Sequence, residues 1–216
     1  MNIKLPEQIN RENWLRYLQV KGEPNERLAR QMDEAEKLLL ETAQPRGIYR
    51  VLNREDLATE GISIEKHLEG CDKVAIMAVT IGSGVDALIR RYELADIAMA
   101  MVIDTGASAL AEQVGESATK EMTEELAGRN ADIYFTPGFS PGYGDYPVTH
   151  QGQILEYVDA ARKTGITLTP GNMMVPAKSI TSIVGIADHP VTGRLATCEE
   201  CVLRDKCDLW REGKHC

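Results

Sequence analysis

Four of the five cysteines lie within the last nineteen residues of the chain, and this clustering is the clearest sign of metal chemistry in the sequence. Cys198, Cys201, Cys207 and Cys216 follow the spacing C-x2-C-x5-C-x8-C. Closely spaced thiols in a reducing compartment more often bind metal than form disulfides, and a C-x2-C pair is a half-site for both zinc and iron–sulfur clusters. We therefore predict one zinc ion or iron–sulfur cluster at these cysteines, with His215 as an alternative fourth ligand. The competing interpretation is a set of free or disulfide-prone thiols at a frayed chain end.

A second segment, "YFTPGFSPGYGDYP" at residues 134–147, concentrates aromatic and turn residues. Its two internal Pro-Gly pairs predict tight turns, because glycine adopts backbone angles that other residues resist. A rigid turn with exposed amides, the Ser140 hydroxyl and the Tyr143 ring can hold a small polar ligand, since amides bind a carboxylate and aromatic faces bind a flat base or a cation. The alternative is a plain connection whose rings cover the core.

Two carboxylates also have a spacing that suits ligand binding. Glu112 and Glu116 are four residues apart in a stretch of helical composition, so both side chains are expected on the same face of a helix. Such a pair attracts a cationic ligand. Without other evidence, however, a glutamate pair is more typical of a solvated helix face.

The overall composition excludes several classes of partner. The formal charge is −9, from 24 Lys and Arg against 33 Asp and Glu, and no basic run offers a face for phosphates, so nucleic acid is not an expected partner. We expect no membrane span, which would require roughly 20 apolar residues, and the N-terminus lacks the apolar core of a signal peptide. The sequence therefore predicts a cytoplasmic protein.

The elements that must position these residues begin with two strands and a long helical region. Residues 47–54 and 73–80 are predicted to be strands, the second apolar enough to be central in a sheet. From 93 to 129 the composition stays helical, with a kink or helix end predicted near Gly106. Residues 131–137 are predicted to form a strand that leads into the aromatic segment. The two glutamates thus belong to the longest predicted element.

The first forty residues are predicted to be helical. Asn10 and Asn25 are candidate N-caps. Apolar residues recur at helical spacing after the second cap and predict a core-facing stripe, which comprises Leu28, Met32, Ala35 and Leu39.

The C-terminal half is predicted to hold one more helix and further strands. A helix is expected from a cap at Thr149 to a stop at Gly165, and two short strands are expected within 166–187. The irregular alternation of helices and strands favours an α+β domain with a largely antiparallel sheet flanked by helices. We expect one main domain, residues 1–190, and a small cysteine-rich tail, residues 191–216.

Two segments together resemble a known family. "FSPGYGDYP" followed about thirty residues later by "MMVPAKSITSIVGIA" looks like the C-terminal activation (reactivation) domain of cobalamin-dependent methionine synthase, in particular its standalone bacterial form. The resemblance implies a helix-flanked antiparallel sheet. It also implies that S-adenosylmethionine binds in a shallow groove. Once an electron arrives, the methyl group of this ligand is transferred to an inactive, oxidised cobalamin on a partner protein.

The resemblance also implies which residues contact the ligand. Ser140, Gly142 and Tyr143 match the family's ligand-binding proline-glycine-tyrosine turn. Glu112 matches the helix glutamate that accompanies the turn, and Glu116 lies one helical turn further on.

Two positions depart from the family pattern. Gly138 stands where the family often has an arginine for the ligand carboxylate, and Ser182 stands where a glycine is expected. A counterpart of the aspartate that the family supplies near the start of the domain is not found.

These features lead to a preferred function and two alternatives. The preferred function is an accessory protein, the activator or a subunit of a cobalamin-dependent methyltransferase. It would bind S-adenosylmethionine and dock on a corrinoid protein for reductive remethylation, or complete a split methionine synthase. The first alternative is a metal-binding or iron–sulfur electron-transfer adaptor that does not bind S-adenosylmethionine, and the second is a purely structural subunit.

Overall fold

A computed structural model describes residues 1, 3–128, 132–191, 193, 205 and 208–211 of the chain. Its helices and strands alternate irregularly, and helix dominates. The helices are α1 Arg11–Tyr17, α2 Glu26–Thr42, α3 Ile62–His67, α4 Ser83–Ala95, α5 Ile97–Ala127, α6 Gln151–Tyr157, α7 Ala160–Lys163 and α8 Asp208–Arg211; the strands are β1 Arg46–Asn53, β2 Lys73–Thr80, β3 Tyr134–Phe135, β4 Thr167–Leu168, β5 Met174–Val175 and β6 Ser179–Ala187.

The main sheet has four strands in the order β1-β2-β6-β3, and every neighbouring pair is antiparallel. β2 lies inside this sheet and is buried from Val74 to Thr80. A separate two-stranded antiparallel sheet joins β4 and β5. The predicted α+β class and antiparallel sheet are therefore confirmed, and both long N-terminal strands match their predicted positions to within one residue.

The sheet separates two hydrophobic cores because successive side chains of a strand point to opposite faces. On β2, Ala75, Met77 and Val79 pack with α1, α2, α4 and α5 on one face. The alternate residues of the same strand pack with α3, α6, α7 and the aromatic segment on the other face. The two predicted ligand-binding features thus come from opposite layers, and they have to meet at an edge of the sheet.

The N-terminal helices form where the sequence predicts them. The Asn10 side chain accepts a hydrogen bond from the Asn13 amide at 3.0 Å, and the Asn25 side chain accepts one from the Leu28 amide at 2.9 Å. Both predicted N-caps are therefore confirmed. The stripe on α2 faces the core as predicted, with Leu28 partly buried and the remaining members fully buried, namely Met32, Ala35 and Leu39.

α5 runs unbroken from Ile97 to Ala127, so the predicted kink or helix end at Gly106 is wrong. Gly106 is small because the Trp14 ring packs directly on it, and a Cβ atom there would overlap that ring. The Trp14 indole also donates a hydrogen bond to the Val102 carbonyl at 3.1 Å. The real break lies earlier, at Asp96, whose side chain caps α5.

By length and composition, α5 could also cross a membrane, because its most apolar window has a mean hydropathy of 1.2. This test concerns length and composition alone, so the expectation of no membrane span stays a prediction. In this fold, 56% of that window is buried inside the protein, and the helix packs against α1, α2 and α4. A buried position of this kind is typical of the central helix of a folded core.

The C-terminal half differs from its prediction in two respects. The expected single helix is a 3-10 turn at Val148–His150 followed by α6 and α7, which are separated where Asp159 adopts a left-handed conformation. Thr149 therefore caps no helix. The expected two short strands are the β4–β5 hairpin, and the same stretch also contains the nine-residue β6.

Candidate functional site

A cavity of about 760 Å³ lies between α5, β6 and the turn at residues 140–143, and we call it the α5–β6 cavity. It is open to solvent. α5 contributes one wall through residues that recur every three or four positions, which is the spacing of a single helix face. Part of its lining consists of Ser108, Glu112, Gly115 and Glu116 from α5 and Ile180 and Thr181 from β6.

The turn is fixed to β6 by backbone and side-chain hydrogen bonds. Phe139 and Ile183 exchange two backbone hydrogen bonds, of 2.9 and 2.7 Å. The Ser140 hydroxyl donates to the Thr181 carbonyl at 2.6 Å. Gly142 has a φ of 95°, a conformation that favours glycine. The turn is therefore held in one position at the mouth of the cavity.

Three rings of the aromatic segment, those of Phe139, Tyr143 and Tyr146, differ in their exposure. Phe139 and Tyr146 are fully buried, and burial raises the pKa of Tyr146 to about 12. Tyr143 is 53% exposed, lines the cavity and meets Phe139 edge-on, with ring centroids 5.8 Å apart. The interpretation that the rings only cover the core holds for the two buried rings, whereas Tyr143 is exposed in the cavity.

Asp145 ties the far end of the aromatic segment to α3. Its carboxylate accepts hydrogen bonds from the amides of Ile62 at 2.7 Å and Ser63 at 2.8 Å. These bonds, with those from Ser63 as the larger cause, lower the pKa of Asp145 to about 2. The carboxylate thus stays ionised and acts as a cap for α3.

Glu112 and Glu116 both line the cavity, as their spacing predicts. Glu112 forms an ion pair with Arg16, with a guanidinium nitrogen 3.0 Å from a carboxylate oxygen. Glu116 has no ion pair within the described part of the chain. One wall of the cavity therefore carries a carboxylate that is available to a cation.

Sequence reasoning missed the contribution of α1. Tyr17 lines the cavity near Tyr143, and the Arg16 guanidinium lies 5.2 Å from the centroid of the Tyr17 ring. Burial, followed by the adjacent Glu112 carboxylate, raises the pKa of Tyr17. No local signal marks these residues, because their role depends on the packing of α1 against α5, which is distant in the sequence.

Lys178 is another residue that sequence reasoning missed. It lies between β5 and β6 and lines the cavity, with only 14% of its side chain exposed. Its ammonium group lies 2.9 Å from an Asp104 carboxylate oxygen and 2.8 Å from the Ser108 hydroxyl. The surrounding segment "MMVPAKSITSIVGIA" carries part of the family resemblance, but nothing within it marks the lysine as a site residue.

The two positions that depart from the family pattern touch each other. Gly138 and Ser182 both line the cavity, and a Cβ atom at Gly138 would overlap the Ser182 hydroxyl. The two departures are therefore coupled, because the Ser182 side chain on β6 fills the space that a side chain at Gly138 in the turn would need.

Four of the five predicted ligand contacts line one cavity, and the fifth, Gly142, does not line it and instead shapes the turn. Among the described residues, no group of three or more histidine, cysteine or acidic side chains could hold a metal ion, and Cys71 is a buried free thiol. The predicted metal ligands lie outside the described residues; they are Cys198, Cys201, Cys207 and Cys216.

Comparisons with known proteins agree with this architecture. A sequence model of the family "vitamin B12 dependent methionine synthase, activation domain" matches residues 55–192. Among solved structures, the chain is similar to the MetH reactivation domain bound to AdoHcy, with a TM-score of 0.62 and 18% identity over 94% of this chain and 82% of that one. No curated protein sequence matches the chain.

Proposed function

The chain belongs to the activation domain family of vitamin B12 dependent methionine synthase, and we propose that it binds S-adenosylmethionine in the α5–β6 cavity to remethylate a corrinoid on a partner protein. The observation that carries the proposal is the convergence of Glu112, Ser140 and Tyr143 on that cavity. These residues match the family's ligand contacts, and they come from two distant segments. The similar reactivation domain was solved with AdoHcy, the demethylated form of the same ligand.

The chemistry of the cavity suits this ligand. S-adenosylmethionine carries a positive sulfonium and an ammonium group, and the carboxylates of Glu112 and Glu116 attract such charges. Tyr17 and Tyr143 offer aromatic faces, which bind cations and flat bases. A volume of about 760 Å³ falls within the usual range for small-molecule sites.

The proposed role of the chain is to bind and orient the donor. S-adenosylmethionine supplies a methyl group that is already activated by the sulfonium, so no general acid or base is required from the protein. Proximity and orientation then provide most of the rate. The exposure of Tyr143 and the opening of the cavity to solvent leave the ligand accessible to a partner.

We propose a corrinoid-binding methyltransferase, or a separate corrinoid protein, as this partner. The chain would dock on it either as the activator that restores an oxidised cobalamin or as one subunit of a split methionine synthase. A purely structural subunit would need no ligand cavity. An electron-transfer adaptor would depend on the cysteine tail rather than on the α5–β6 cavity, so ligand binding separates both alternatives from the proposal.

Calorimetry with S-adenosylmethionine and S-adenosylhomocysteine tests the proposal. We expect saturable binding of both ligands to the full chain. Tyr143→Ala should weaken binding by about 1–3 kcal/mol, because it removes a cation–π or stacking contact and a hydrogen bond. Tyr134→Ala is the matched control, since Tyr134 is also a partly exposed tyrosine but does not line the cavity. Absence of binding at millimolar ligand, or equal affinities for the two variants, would contradict the proposal.

A further inference from the structure

The α5–β6 cavity carries charges of both signs, and they are separated along its length. The Lys178 ammonium group lies beside Ser108 of α5. The carboxylates of Glu112 and Glu116 lie further along the same helix. An α-helix rises 1.5 Å per residue, so the two glutamates lie about 6 and about 12 Å further along the wall. The Lys178 ammonium and the two glutamate carboxylates therefore lie at different levels of the cavity, and the ammonium is paired with Asp104.

Lys178 is held in a way that leaves it one donor for a ligand. An ammonium group has three N–H donors. Within the described part of the chain, Asp104 and Ser108 take two of them. Because the side chain is 14% exposed, its charge is screened less by solvent than that of a surface lysine. A carboxylate that enters the cavity at this end meets a fixed, partly desolvated cation.

The other cations near the cavity are less suitable partners for a carboxylate. Lys120 also lines the cavity, but its side chain is 76% exposed and its ammonium group lies 3.9 Å from a Glu124 carboxylate oxygen. Exposed ion pairs contribute little free energy. Arg16 does not line the cavity.

We propose that Lys178 binds the α-carboxylate of the ligand and so fixes its direction in the cavity, with the cationic part of the ligand against Glu112. The inference rests on the proposed function and deepens it. It supplies a carboxylate partner in a chain that has Gly138 at the family's usual arginine position. Lys178 then makes the cavity bind a nucleoside that carries an amino-acid carboxylate more tightly than a nucleoside that lacks one.

The decisive experiment compares ligands that differ only in the carboxylate. S-adenosylmethionine and decarboxylated S-adenosylmethionine are titrated calorimetrically into the parent protein, Lys178→Met and Lys120→Met. We expect the parent to bind the carboxylate-bearing ligand about tenfold or more tightly, as a charge-assisted hydrogen bond would give. The ratio should fall to about one in Lys178→Met and change less than about twofold in Lys120→Met.

The outcomes separate this inference from the proposed function. If neither ligand binds the parent protein, the proposed function fails and this inference fails with it. If both ligands bind the parent with equal affinity, or if the ratio collapses in Lys120→Met rather than in Lys178→Met, the role of Lys178 is wrong and the proposed function stands. The comparison on the parent needs no variant, so equal affinities there would overturn the inference even if Lys178→Met does not fold.

Discussion

At the scale of single residues, the contact between Gly138 and Ser182 explains how one position restricts another. The Ser182 hydroxyl occupies the space that any side chain at Gly138 would need. An arginine of the family pattern therefore cannot be placed at this turn unless the side chain on β6 becomes smaller or moves. The two departures from the family pattern look independent in the sequence, but in the fold the side chain at position 182 limits the side chain at position 138.

A double-mutant cycle tests this coupling. Gly138→Ala should lower the free energy of unfolding by about 1 kcal/mol, because the Ser182 hydroxyl must move to make room for the new methyl group. Ser182→Gly should itself cost about 0.5–1 kcal/mol, as glycine does inside a strand. The double variant should be about 1 kcal/mol more stable than the sum of the two losses predicts. Urea unfolding measures all four proteins, and strict additivity would show that the two positions are not coupled.

At the scale of elements, the position of α1 depends on the smallness of one residue in α5. Trp14 is fully buried and packs on Gly106, and this contact holds the helix that ends at Tyr17. The position of Tyr17, which α1 contributes to the cavity lining, therefore depends on the contact that Trp14 makes one turn earlier on the same short helix. A change at Gly106 should affect both the stability of the fold and the shape of the site.

Gly106→Ala should lower the free energy of unfolding by about 1–3 kcal/mol, because the added methyl group overpacks the Trp14 ring. Gly152→Ala is the matched control, since it is also a helical glycine and its new Cβ would lie 3.6 Å from Leu168, an ordinary contact distance. The control should be neutral or slightly stabilising, because alanine favours helix over glycine. Chemical denaturation of both variants provides the measurement, and a fully stable Gly106→Ala protein would refute the packing argument.

At the scale of the whole molecule, the sequence predicts what local patterns determine and misses what packing determines. β1 and β2 are predictable because their apolar composition is a local signal, and the spacing of Glu112 and Glu116 places both on one helix face. The prediction of a kink at Gly106 is wrong because a small residue is needed there to make room for the Trp14 ring of another helix, not to change the backbone of α5. Tyr17 and Lys178 escape prediction for the same reason, since only the tertiary fold brings them to the cavity.

The four cysteines of the predicted tail, residues 191–216, lie outside the described residues, and their metal content remains a prediction. We expect protein purified without oxygen to contain about one zinc ion or one iron–sulfur cluster per chain. Cys201→Ser should lose the metal because it breaks the C-x2-C pair. Cys71→Ala should keep it, since Cys71 is buried in the main fold. Less than about a tenth of an equivalent of both zinc and iron, with all tail thiols titratable, would rule out a metal site at this spacing.

The cavity walls come from residues far apart in the chain, including Tyr17, Glu112, Tyr143 and Lys178. An unfolded chain keeps such residues apart, so a ligand of this cavity binds the folded state alone. At a concentration one hundred times its dissociation constant, such a ligand adds about 2.7 kcal/mol to the free energy of unfolding. Because proteolysis in cells often follows the population of the open state, the supply of the ligand would also set the lifetime of the protein.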